Sequence, residues 1–232
     1  MNTNSIPLAT SSPRTSAPKP ALRTGWAIVL TIILALGAAL SYTVRQDLYT
    51  SAVRWAGHSG LEGSIDLIAS KGLLALVALT AGVALWTLFR SRRRFWTLVS
   101  SGAGVGAAYA LSEGIKILVA EPRPCSGSDL ATVIACPAAG DWSWPSNHAV
   151  LAAAFATACV IALVRTCWVA VPLAVAIAVS RVLAGVHYPH DVLSGLVLGM
   201  LVVTGAVIAL RPLLDRVTGI ATGAGASMGG RA

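Results

Sequence analysis

The chain has 232 residues, of which 56% are hydrophobic and only 11% charged, with a formal net charge of +8. Soluble domains carry about a quarter charged residues. With a mean hydropathy of +0.75, this composition excludes an ordinary soluble enzyme and points to an all-α polytopic membrane protein. At about 20 residues per span the length accommodates roughly six transmembrane helices with short loops, and the basic excess belongs with cytoplasmic Lys/Arg rather than with nucleic acid.

Residues 1–24 are rich in Ser, Thr, Pro and Ala and carry Arg14, Lys19 and Arg23 without hydrophobic periodicity. They predict a disordered arm. GWAIVLTIILALGAAL follows at 25–40. It is long for the apolar region of a secretory signal and sits behind a long polar stretch, so it reads as an uncleaved first span. Apolar runs at about 67–89, 96–118, 148–164, 167–186 and 191–210 complete six, giving a transmembrane domain over 25–212 and a flexible, cytoplasmic tail over 213–232. Small residues in the third run suit close helix packing in lipid. Pro172 is expected to kink or open the fifth helix near its start.

Orientation follows from charge. With the N-terminus on side one and the spans alternating, side one holds 11 of the 17 Lys and Arg residues, including the RSRRR stretch at 90–94. The positive-inside rule makes that side cytoplasmic, with both termini. The 119–147 loop and the 181–190 segment then face outward. Four cysteines form no C-x-x-C pair, and only Cys125 and Cys136 share a polar segment. A disulfide between them is permissible on an outer face, two free thiols being the alternative.

Ionisable residues near membrane depth are functional candidates. Here they fall in three clusters, all on the outward side: Lys116 with Arg123 and Pro124; Pro145, Ser146, Asn147 and His148; and Ser180, Arg181, His187 and Asp191. Lys116, Arg123 and Arg181 cannot pair with lipid tails and need an anion. Arg matches phosphate oxygens with its planar fork, and Lys adds a point charge. Glu113, three residues from Lys116, is the plain alternative partner for that one cation. His187 and Asp191, four apart, would share a helix face, Pro189 suiting the helix start. A carboxylate on one imidazole nitrogen leaves the other free to attack phosphorus. His148 is then available as general acid and later base. Ser146 and the N–H groups opening the fourth helix can hold phosphate oxygens. A zinc site built from His148, His187, His190 and Asp191 is the rival reading, disfavoured because the neighbouring cations repel a metal ion. His190 has no evident role.

These residues resemble the signature of the type 2 phosphatidic acid phosphatase superfamily, the lipid phosphate phosphatases. Lys116-x6-Arg123-Pro124, then Pro145-Ser146-Asn147-His148, then Ser180-Arg181-x5-His187-x3-Asp191 follow the family's K-x6-R-P, P-S-G-H and S-R-x5-H-x3-D in order and spacing over residues 67–210. The resemblance implies a helical-bundle phosphatase without cofactor or metal. It implies His187 as nucleophile, Asp191 as its orienter and His148 as acid/base. It also implies phosphate binding by Lys116, Arg123, Ser146, Asn147 and Arg181. The departure is Asn147 where the family has Gly. Gly permits positive φ and close approach, and Asn is among the residues that best tolerate the left-handed region. The expected activity is hydrolysis of a lipid phosphate at the outer face of a bacterial plasma membrane, through a phosphohistidine. A polyprenyl diphosphate or phosphate is the first choice of substrate, with phosphatidylglycerol phosphate or phosphatidic acid as alternatives. A non-catalytic polytopic or transport protein is the rival of another class.

Overall fold

The computed structural model describes residues 20–219, and every regular element among them is helical. α1 (Pro20–Thr43) is a continuous apolar helix. The chain turns at Val44 into α2 (Arg45–His58), which leaves α1 at 92°. α2 is absent from the spans read off the sequence because it has no long apolar run. Its signal is spacing: Tyr49, Val53 and Ala56 are buried at i, i+4 and i+7 while Leu48 and Trp55 stay exposed. An amphipathic helix at a right angle to a span suits the plane of the membrane interface.

α3 (Glu62–Arg90) and α4 (Arg92–Val119) are separated by Ser91 alone, which is extended at φ −163° and accepts a hydrogen bond from the Arg94 N–H. The loop expected at 90–95 is thus mostly the first turn of α4: one capping serine suffices to break the helix. α4 ends at Ala120, left-handed at φ 50°, whose N–H reaches the Lys116 carbonyl at 2.8 Å. A loop over 120–146 follows, containing a 3-10 turn at Pro124–Gly127 and a disulfide between Cys125 and Cys136 with Cα atoms 5.8 Å apart. Then come α5 (Asn147–Ala162), a 3-10 turn at Val164–Thr166, α6 (Cys167–Leu183) and α7 (Pro189–Thr218). Pro172 lies in the second turn of α6, which runs on to Leu183.

The expected arm and tail, 1–24 and 213–232, fall mainly outside the described residues; within them α1 already begins at Pro20 and α7 continues to Thr218. The six-span expectation is met in part. Four helices are long and apolar enough to cross a bilayer, five if the bent α1–α2 pair counts as one span. α5 has 16 residues, about 24 Å at 1.5 Å per residue, short of a hydrocarbon core of about 30 Å. It is instead the central post, packed against α3, α4, α6 and α7. Its buried face is almost all alanine, Ala149 to Ala162, so its neighbours come close. A Cβ on Gly199 of α7 would lie 2.2 Å from the Val150 carbonyl oxygen, and one on Gly104 of α4 would lie 2.9 Å from the Val203 Cα. Small residues thus set the helix spacing where lipid supplies no hydrophobic drive between helices. The outer faces carry Leu36, Leu67, Phe89, Leu118 and Trp168, all well exposed.

Candidate active site

All three sequence clusters arrive at one end of the bundle: the end of α4, the loop before α5, the start of α5, the end of α6 and the start of α7. Lys116, Arg123 and Arg181 are each less than a tenth exposed. Cations so buried require compensation, and the loop supplies part of it. Asp141 Oδ1 lies 3.2 Å from Lys116 Nζ and 2.9 Å from Arg123 Nη2, and the Asp141 carbonyl accepts from Arg123 Nε at 2.8 Å. Glu113, the plain partner expected for Lys116, does not take that role; it bonds Asn147 instead. Burial works to raise the Asp141 carboxyl, but the Arg123 hydrogen bond and charge, with Lys116 behind them, hold it below the usual carboxylate range. Arg181 donates from Nη1 to the Ala69 carbonyl at 3.2 Å. Its Nε and the Ser146 hydroxyl are buried with no hydrogen-bond partner among the described residues. Such groups are costly to leave unmatched, and both belong to the set expected to bind an anion.

His187 is fully enclosed, at 1% exposure. Its Nδ1 is 3.3 Å from Asp191 Oδ2, and Arg123 Nη1 approaches Nε2 at 2.9 Å while also reaching the Val186 carbonyl at 3.0 Å. An arginine can only donate, so Nε2 carries the lone pair and Nδ1 the proton, which goes to the carboxylate. Asp191 Oδ2 also accepts from the Ser143 hydroxyl and, at 2.8 Å, from the Tyr188 N–H. His187 and Asp191 do not share a helix face as their spacing suggested. α7 begins at Pro189, so His187 lies in the approach loop and Asp191 caps that loop from the helix's third position. Burial lowers the His187 pKa to about 4, with the Arg123 and Arg181 charges adding to the effect and the Asp191 hydrogen bond opposing it.

Ser146 is the N-cap of α5, and His148 its second residue. His148 is half-buried, makes no hydrogen bond to any described residue, and feels the charges of Arg181, Arg123 and Lys116. Asn147 resolves differently from the sequence expectation. The only non-glycine residue with positive φ among those described is Ala120, so position 147 needs no left-handed tolerance. Its side chain turns to α4 instead, accepting from Ser112 Oγ at 2.6 Å and donating to Glu113 Oε1. Asn147 is a clasp between α4 and α5, and its amide is committed there.

His190 Nε2 sits 3.1 Å from Asp191 Oδ1 and 3.4 Å from Glu121, which Arg45 approaches at 3.8 Å. Glu121, His190 and Asp191 are the described residues whose donor atoms could converge on a metal ion. The zinc set weighed as the rival reading does not assemble, since His148 and His187 lie outside that group. Asp141 and Ser143 escaped the sequence reading. The available signal was charge balance: three clustered cations needed acids, and the loop between Arg123 and Ser146 holds only Asp129 and Asp141.

Comparison with known proteins bears on the family and the fold. The profile of the PAP2 superfamily matches residues 97–213. The chain is 40% identical over 107 residues to the decaprenylphosphoryl-5-phosphoribose phosphatase of Mycolicibacterium smegmatis, an alignment covering 45% of this chain and 54% of that one. The chain thus spans about half the length of that relative. It is 29% identical over 145 residues to the undecaprenyl-diphosphatase BcrC of Bacillus subtilis, covering 62% of this chain and 73% of that one. Among solved structures, the PAP2-type phosphatidylglycerolphosphate phosphatase of Bacillus subtilis superposes with a TM-score of 0.53 at 23% identity, over 82% of this chain and 98% of that one. At that identity the likeness speaks to the fold.

Proposed function

The chain belongs to the PAP2 superfamily, and from that membership together with the site geometry we propose that it is a membrane lipid phosphatase working through a phosphohistidine. The observation that carries the proposal is the His187 ring, with Nδ1 on Asp191 and Nε2 presenting its lone pair among buried cations. Nε2 attacks phosphorus and the bond from phosphorus to the leaving oxygen breaks. His148 protonates that oxygen. Water, deprotonated by His148, then attacks the phosphohistidine, the P–N bond breaks, and inorganic phosphate leaves. Lys116, Arg123 and Arg181 hold charge on the transferring phosphoryl. The Ser146 hydroxyl and the backbone N–H groups opening α5 complete the cradle. No metal is assigned a part, and activity is expected to persist in excess chelator.

A polyprenyl phosphate or diphosphate is the substrate we favour. The supporting relatives are named for a decaprenyl-linked phosphate and for undecaprenyl diphosphate. The site opens at one end of a bundle whose sides are apolar, so a lipid tail can stay among the helices while its head group reaches the cations. We place the site on the outer face, with α2 in the interface and α5 as a short sixth, enclosed helix. The basic residues Arg90, Arg92, Arg93, Arg94, Arg165 and Arg211 support this, since they lie at the opposite end of the bundle. The test is phosphate release by purified protein across polyprenyl diphosphate, polyprenyl phosphate, phosphatidylglycerol phosphate and phosphatidic acid. Release from none of them, or release unchanged in His187→Ala, ends the proposal.

A further inference from the structure

The chemistry above has no use for Asp141, yet this is the acidic side chain in direct contact with the cation cluster. One oxygen, Oδ1, is shared between Lys116 Nζ and Arg123 Nη2 at 3.2 and 2.9 Å. That is the contact a phosphate oxygen would make with the same pair. The two cations are each less than a tenth exposed, whereas the Asp141 side chain is half exposed. It sits on a loop turn, its N–H on the Ala138 carbonyl at 3.1 Å and Gly140 before it at φ 90°. The buried partners are the cations and the exposed, exchangeable one is the carboxylate.

We propose that Asp141 is a resident stand-in for a phosphate oxygen, holding the Lys116–Arg123 subsite until the phosphate of a membrane-held substrate displaces it, and so setting the site's affinity for phosphate groups. The proposal rests on the phosphate-site reading above. It has two consequences. A lipid-anchored phosphate reaches the site at high effective concentration and wins the exchange. Free phosphate, the product, arrives only at bulk concentration and meets an internal competitor, which limits product inhibition. The second consequence concerns the nucleophile. The guanidinium whose Nη2 meets the Asp141 carboxylate, and whose Nε donates to the Asp141 carbonyl, is the one whose Nη1 covers His187 Nε2. Exchange of the carboxylate for a phosphate oxygen releases Nη2 to follow the phosphate, and a turn of the guanidinium about its Nε contact uncovers the attacking lone pair.

An internal competitor scales apparent affinity by the fraction of time it leaves the site free, so one that holds the site about nine-tenths of the time costs about tenfold. The full chain in nanodiscs of neutral lipid, titrated with orthovanadate and assayed for inhibition by inorganic phosphate, tests this. Asp141→Asn and Asp141→Ser are expected to bind orthovanadate about tenfold more tightly, with a matching fall in the phosphate inhibition constant. Affinity unchanged or weakened in the folded variants overturns the proposal. Loss of fold in both also overturns it, since a displaceable contact is not one the fold depends on. Lys116→Gln separates the two levels: if it leaves orthovanadate binding intact, the phosphate-site reading itself fails, whatever Asp141 does.

Discussion

At the scale of single residues, the roles of the two histidines are separable by what each touches. His187 is locked between a carboxylate and a guanidinium, so its removal is expected to abolish turnover without unfolding the bundle, checked by phosphate release alongside gel filtration. His148 bonds no described residue, and the proposed mechanism gives it the leaving group's proton. His148→Gln is therefore expected to lose about a hundredfold to ten-thousandfold on a lipid alkyl phosphate, and markedly less of the burst on p-nitrophenyl phosphate, whose leaving group needs no proton. An equal loss on both substrates would assign His148 to another task. Acid sensitivity belongs here too. The His187 pKa falls from 6.5 to about 4 on folding, so between those values the unfolded chain binds the proton and the native state resists it. Stability is unaffected above the upper value and lost as pH falls toward the lower one. Thermal unfolding should show wild type losing ground to His187→Asn across that window; a constant gap would mean the ring is not held neutral.

Elements are set here by the smallness of residues more than by their polarity. α5 carries the opening of the site, and its depth is fixed by how closely α7 can approach. Gly199→Ala places a methyl carbon against the Val150 carbonyl and the Ala154 amide, and overpacking of this kind costs about 1–3 kcal/mol. A lowered unfolding midpoint is expected, and reduced turnover with it, because the shift is relayed to Ser146 and His148. Gly205→Ala, on the same helix with nothing within 4 Å of the added carbon, should be neutral. The pair of midpoints decides whether close packing or helix propensity is at work. α2 illustrates the other side: an amphipathic helix shows only in spacing, and hydropathy alone passes over it.

For the whole molecule, the sharpest expectation is sidedness. A cysteine placed at Asp129, with Cys159 and Cys167 replaced, should react with an impermeant maleimide from outside intact cells, and one at Ser91 should not. The reverse pattern would put the site on the cytoplasmic face and remove support for a substrate presented outside. The bundle also explains why an otherwise apolar chain tolerates its charges. They gather at its two ends: at one, Asp141, Asp191 and Glu121 meet Lys116, Arg123 and two histidines; at the other lie Arg90, Arg92, Arg93, Arg94, Arg165 and Arg211; the outer flanks are left to lipid.

The sequence by itself determined the membrane class and the helical architecture, because hydropathy is a property of segments and needs no fold to read. Three ordered motifs with fixed spacing also named eight candidate residues, which the fold brings to one end of the bundle. What only the tertiary structure decided was pairing. Spacing suggested Glu113 for Lys116, a shared helix face for His187 and Asp191, and a backbone purpose for Asn147. The fold gave Asp141 to Lys116, put Asp191 across a loop from His187, and turned Asn147 toward α4. Partners of a buried charge come from whichever loop or helix the packing brings within about 3 Å, and that distance is set by the closeness of α4, α5 and α7, which no local pattern records.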